Sequence, residues 1–155
     1  IGQTNKQITK RPVLWPGFAL SVLNWEDKKE KIVFWAEKYN LEPNLVALVM
    51  QLESMGNKNA VSPAGALGLF QVMPYHFGAD LPNALKPDVN AHYGLTYLRT
   101  SYELSGGDIA LTLAGYNGGH GAIFWKPENW GAEPKEYVAR GLHLWEGYKK
   151  WESSK

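Results

Sequence analysis

Apolar residues return at helical spacing in several stretches of the chain. From Glu26 onward, Ile32, Trp35, Ala36 and Tyr39 fall on one side of a helix and lysines on the other. Asn40 and Pro43 mark a break and a restart, since proline suits a first helical turn. In "LVALVMQLESMGN", residues 45–57, Leu45, Leu48, Val49 and Leu52 occupy i, i+3, i+4 and i+7, the spacing of one buried face. That helix ends on a carboxylate, Glu53, and Gly56 stands where a helix usually stops. A further helix is predicted from about Asp88 to Leu104, with Ala91, Leu95, Leu98 and Tyr102 in register. Asp108 reads as the N-cap of one running through Tyr116. The last runs from roughly Pro134 to Trp151, with Val138, Leu142 and Trp145 inward.

The intervening segments carry breakers. "GNKNAVSPAGALGLFQVMP" is too rich in Gly and Pro for a long helix, and predicts loop, a small hairpin, then a short helix up to Pro74. Residues 75–87 read as irregular, and residues 1–24, with "RPVLWPGF" near their end, as an irregular extended arm. The expected fold is mainly α with at most a small β-hairpin: an arm over 1–24, then one domain over 25–152.

Composition narrows the function classes. The chain has 155 residues, enough to bury a core without staples, and no cysteine. A net charge of +1 argues against a phosphate-backbone binder, so no nucleic-acid partner is expected. No run approaches the roughly 18 apolar residues of a spanning helix, and "FALSVL" is too short and lacks the flanks of an export signal. The four histidines lack zinc-ligand spacing, and "GYNGGHG" lacks the Lys-Ser/Thr of a phosphate loop, so neither metal nor cofactor is expected. Seven tryptophans are the unusual figure, and indole faces stack on sugar rings as well as in cores.

Glu53 is where chemistry would reside. A solvated helix-end residue is the ordinary reading of such a glutamate. Against it, Glu53 adjoins the buried face, sits at the negative end of the helix dipole, and precedes a glycine-rich loop that lets a ligand approach. Burial and the dipole both raise the pKa, and a carboxyl held protonated near neutrality is a general acid.

Three ordered stretches sharpen this reading: "ES" at 53–54, "NAVSPAGALGLFQVMP" at 59–74 and "TLAGYNGG" at 112–119. Together they resemble the family 1 lytic transglycosylases, lysozyme-like domains related to goose-type lysozyme. The resemblance spans Leu45 to about Val138. It implies that Glu53 is the sole catalytic acid and base, and that Ser54 helps hold the N-acetyl group or the acid. Gln71 and Met73 would line the glycan cleft, Tyr116 and Asn117 would face sugar and acid, and Tyr137 in "EYV" would orient the glutamate. By position alone, Asn117 equally reads as a helix-end cap. Lys58, Gly115, Gly118 and His120 depart from the family's common residues, and "PKEYV" lacks its usual Thr.

Ordinary glycosidases need two carboxylates. Asp80, Asp88, Glu103, Asp108, Glu128, Glu133 and Glu136 lie in loops or near helix ends, where solvation or capping is the default. The resemblance supplies an escape, in which the muramic acid's own 6-hydroxyl attacks and a 1,6-anhydro sugar forms. The expected partner is therefore a peptidoglycan glycan strand, in the cell envelope, periplasmic or extracellular, or in a phage assembly. A hydrolytic muramidase is the rival, favoured by a second carboxylate in the cleft; a non-catalytic glycan-binding module is another. Phe124, Trp125 and Trp130, in a loop, are candidate subsite aromatics.

Overall fold

The computed structural model describes residues 13–155. Among these the α-helices are α1 (Trp25–Lys38), α2 (Pro43–Ser54), α3 (Pro87–Leu104), α4 (Ile109–Gly118) and α5 (Ala132–Ser153). Short 3-10 helices at Pro16–Leu20, Pro74–His76, Gly78–Asn83, His120–Phe124 and Pro127–Asn129 occupy the connections. No described helix is long and apolar enough to cross a membrane.

The centre of the molecule is α2. Leu45, Val46, Ala47, Leu48, Val49 and Met50 are all fully buried, so the helix is enclosed on every side over this stretch rather than on one face. The i, i+3, i+4, i+7 spacing marks only part of this buried surface, because an unbroken apolar run belongs inside a ring of neighbours. Those neighbours are α1, α5 and the Pro16–Leu20 turn, while α4 lies between α5 and α3. Asp108 caps α4 as expected: its Oδ1 accepts from the Leu111 N–H at 2.9 Å.

The expected arm is described only from Val13; residues 1–12 lie outside the described residues. From Val13 the chain docks instead of extending. Asn44, buried at the start of α2, accepts from the Trp15 N–H at 2.8 Å and donates to the Val13 carbonyl at 3.0 Å. Phe18 is fully buried, with the Trp15 and Trp25 rings 5.2 and 5.8 Å from its own. Burying such a ring is worth about 1.5–3 kcal/mol, enough to hold a short polar-flanked segment against the domain.

The helix expected up to Pro74 is absent. Residues 61–72 fold as a loop with two isolated antiparallel bridges, Val61 to Leu67 and Leu67 to Val72. Gly68 at φ +77° and Gln71 at φ +50° lie outside the right-handed helical range. Asn90, fully buried on α3, holds the loop in this shape. It accepts from the Phe70 N–H at 2.8 Å and donates to the carbonyls of Leu67 at 2.8 Å and Ala84 at 3.1 Å. A Cβ at position 68 would stand 2.5 Å from the Asn90 side-chain nitrogen, so the close approach requires glycine.

Candidate active site

The C-terminal end of α2, the 61–73 loop, α3, α4 and the first turn of α5 surround a cleft of about 410 Å³. Its lining brings together Glu53, Gln71, Met73, Tyr116 and Asn117 from the residues expected in the sequence. It also includes Tyr75, His76, Tyr97 and Glu133.

Glu53 is the penultimate residue of α2. Beyond it the chain reverses through Met55 at φ +51° and Gly56 at φ +81°, so the helix stops with the carboxyl at its mouth. The residue keeps some exposed surface, as a cleft-lining group must, but protein encloses most of the carboxyl's surroundings. Desolvation pushes its pKa up from 4.5 to about 7. Three smaller influences act on it: the Tyr137 hydroxyl favours the ionised form, the Glu133 charge opposes it, and the Arg140 charge favours it. Tyr137 is buried and its hydroxyl comes close to the carboxyl, yet the two stop short of a full hydrogen bond.

The remaining expected residues divide by what their polar atoms touch. Tyr116 faces the cleft, but its hydroxyl donates to the Phe70 carbonyl at 2.6 Å and so clamps the loop. Gln71 donates to the carbonyls of Ala60 and Gly68, each at 3.1 Å, which fixes its side chain at the rim. Ser54 does not line the cleft. Its hydroxyl donates to the Leu69 carbonyl at 2.8 Å and accepts from the Gly56 N–H at 3.1 Å, tying the end of α2 to the loop. Asn117 is not a helix cap: its Nδ2 faces Glu133 Oε1 at 3.5 Å, and its Oδ1 is buried without a partner. An orphaned buried acceptor beside a general-acid candidate is an opening for a ligand's N–H or O–H.

The loop aromatics stand elsewhere. Trp130 is 8% exposed and its indole N–H donates to the Ala122 carbonyl at 2.9 Å, so it belongs to the core. Phe124 and Trp125, 70% and 55% exposed, lie outside the cleft lining.

In the sequence Glu133 reads as one helix-end carboxylate among several. The signal was present: it lies four residues before Tyr137, hence on the same face of α5. No comparable periodicity marks Tyr75, His76 or Tyr97, which reach the cleft from a 3-10 turn and from α3. Among the described residues, no three of His, Asp and Glu group as ligands for a metal ion.

The chain is similar to known proteins over most of its described length. The family model described as transglycosylase SLT domain matches residues 30–138. A transglycosylase of Enterobacteria phage PRD1 is 40% identical over 104 residues, covering 66% of this chain and 37% of the relative. The membrane-bound lytic murein transglycosylase C of Edwardsiella ictaluri is 32% identical over 107 residues, covering 57% of this chain and 30% of that protein. The chain thus spans about a third of the length of these curated relatives. Among solved structures, an inactive mutant of the lytic transglycosylase Slt from Pseudomonas aeruginosa superposes with a TM-score of 0.64 at 22% identity, over 75% of this chain and 23% of that one. The 70 kDa soluble lytic transglycosylase of Escherichia coli gives 0.62 at 21%, over 80% and 24%. At such identities the superpositions establish the fold, the lysozyme-like α-helical domain expected from the sequence.

Proposed function

The chain belongs to the transglycosylase SLT-domain family, and from that premise we propose that it is a peptidoglycan lytic transglycosylase, cleaving the β-1,4 bond between N-acetylmuramic acid and N-acetylglucosamine. The observation that carries this reading is a single buried carboxyl, Glu53, with a pKa near 7 at the edge of a polar cleft.

The chemistry follows from that balance. With its proton on, Glu53 donates to the glycosidic oxygen, the bond to the anomeric carbon breaks, and the substrate's N-acetyl carbonyl stabilises the positive charge on the sugar. Glu53 is then a carboxylate, the form that the nearby Tyr137 hydroxyl favours. It takes the proton from the muramic acid's 6-hydroxyl, whose oxygen bonds to the anomeric carbon. The product is a 1,6-anhydro sugar, the acid regains its proton, and no water is consumed. An intramolecular nucleophile has a high effective concentration, which offsets the absence of a dedicated base. A pKa near the working pH makes both proton transfers inexpensive.

Asn117 Oδ1 and the rim amide of Gln71 offer neutral groups to the acetamido and hydroxyl substituents, with Met73 lining the same wall. Ser54 acts by holding the loop rather than by touching sugar. We assign the catalytic unit to the helical domain set at 25–152, with Phe18 and its neighbours part of the same packing unit. Its proposed setting is the cell envelope or a phage particle, in keeping with relatives named from a phage and as membrane-bound murein enzymes.

Glu133 supports a second reading. A carboxylate in the cleft beside Asn117 is the group a hydrolytic muramidase would use to activate water. Mass spectrometry of the soluble products from purified peptidoglycan decides between them. Muropeptides lighter by one water and refractory to borohydride, absent with Glu53→Gln, are expected of the transglycosylase. Reducing-end products that vanish with Glu133→Gln would give the hydrolase. Retention of both proteins on the sacculus with no product would give a binding module.

A further inference from the structure

Four rings form a continuous ladder, and three of them, Tyr75, His76 and Tyr97, line the cleft. Tyr75 lies against His76, with centroids 4.3 Å apart and planes 35° apart. His76 meets Tyr97 edge-on at 5.1 Å, and Tyr97 stacks on His120 at 3.8 Å and 19°. Tyr116 joins the ladder to the acid: its ring meets Tyr97 at 5.9 Å, and its hydroxyl feels the Glu53 charge.

The two imidazoles differ in what is left open. His120 Nε2 lies 3.2 Å from the Tyr97 carbonyl. A carbonyl only accepts, so that nitrogen carries the proton and the ring is tied back as a buttress behind Tyr97. His76 lines the cleft, and among the described residues neither of its ring nitrogens has a hydrogen-bond partner. Burial and the neighbouring His120 push its pKa down, so near neutrality it is uncharged and presents one donor and one acceptor. Tyr75 is 77% exposed although it lines the cleft, and its outward ring face has no packing role. An exposed aromatic face beside a paired donor and acceptor matches an N-acetylated sugar, which has an apolar C–H face and an acetamido N–H and C=O.

We propose that Tyr75, His76 and Tyr97, braced by His120, form a sugar-binding subsite apart from the acid, in which a glycan ring lies on Tyr75 and its acetamido group is read by His76. The peptidoglycan reading enters only in naming the natural strand; the subsite itself requires an N-acetylated glycan. His76 and His120 both lie outside the three stretches that carry the family resemblance.

The test uses the Glu53→Gln protein, which binds without turnover, titrated by calorimetry at pH 7 with N-acetylglucosamine oligomers and with glucose oligomers of equal length. Adding Tyr75→Ala or His76→Phe is expected to weaken binding of the N-acetylated oligomer by about tenfold, the scale of one lost hydrogen bond or stacking contact. His76→Gln keeps a donor and an acceptor and is expected to retain most of the affinity. Glucose oligomers are expected to bind more weakly and to ignore His76→Phe. Near-parental affinity in both Tyr75→Ala and His76→Phe, or no binding by the parent, would overturn the subsite; unchanged melting temperatures separate this from misfolding. The catalytic reading is scored separately. Anhydro products with no effect of either Tyr75→Ala or His76→Phe on binding sink the subsite alone, whereas binding that depends on these residues without products from the wild type sinks the lytic activity alone.

Discussion

Glu53→Gln should make the protein more stable at alkaline pH while abolishing turnover. The folded chain keeps the Glu53 proton up to about pH 7, whereas the unfolded chain releases it near 4.5. Between those values the folded state binds more protons than the unfolded one, so stability falls as pH rises through the window. Below pH 4.5 nothing has been lost; above pH 7 the loss is complete. At about 1.36 kcal/mol for each tenfold change in proton affinity, the full displacement is worth roughly 3 kcal/mol. Because Glu53 keeps some surface on the cleft, we expect about 2–3 kcal/mol. Glutamine has the same shape and no charge to desolvate, so the variant escapes the alkaline loss. For a domain of this size, about 1 kcal/mol moves the melting temperature by roughly 2–4 °C, so the variant should melt roughly 4–12 °C higher at pH 8. At pH 4.5 the two proteins should melt nearly together. The assay is paired thermal unfolding at pH 4.5, 6 and 8, read as the variant minus the wild type, so that every other titrating group cancels. A difference that stays flat across pH, or a variant less stable at pH 8, would refute desolvation as the source of the Glu53 pKa.

On the proposed mechanism the same carboxyl sets the pH profile: kcat/KM should fall above about pH 7 as the acid loses its proton. Glu133→Gln removes a negative neighbour and should move that limb to lower pH, whereas Tyr137→Phe removes a group favouring ionisation and should move it higher. Both shifts are read from initial rates on purified sacculi. Asn90→Ala strands the buried Phe70 N–H and removes the bonds to the Leu67 and Ala84 carbonyls, and should cost about 2–4 kcal/mol in urea unfolding, with loss of glycan binding. Ser54→Ala should cost about 1–2 kcal/mol by the same measurement.

Helices were legible in the sequence because each is specified locally: apolar spacing along α1 and α3, Pro43 in the first turn of α2, Asp108 before α4. The loop was not. "GALGLFQVMP" has helix-compatible residues, and what forbids a helix is Asn90, nineteen positions past Gln71, whose side chain takes the backbone groups a helix would have used. The likeness of "FWKPENW" to an exposed aromatic loop failed at Trp130 for a similar reason: its N–H finds the Ala122 carbonyl, which removes the cost of burying it. Glu53 was readable because motif and helix end coincide there. His76 and Tyr97 were not, since each is unremarkable until the other is beside it.

The arrangement explains why so many polar side chains near Glu53 bond to protein backbone. Glu53 sits on a helix end, but the cleft wall opposite the core is a loop without regular hydrogen bonding, which alone would be the mobile part of the site. Three side chains from three helices bond to its backbone: Ser54 of α2 at Leu69, Asn90 of α3 at Leu67 and Phe70, and Tyr116 of α4 at Phe70. Each contact spans many residues of chain, so none forms unless the helices have already packed. A catalytic group gains most from its surroundings when they need no rearrangement at the moment of reaction. In this fold that rigidity comes from helix-borne side chains gripping the loop, which leaves Asn117 Oδ1, the Gln71 amide oxygen and the His76 ring among the cleft groups open to a ligand.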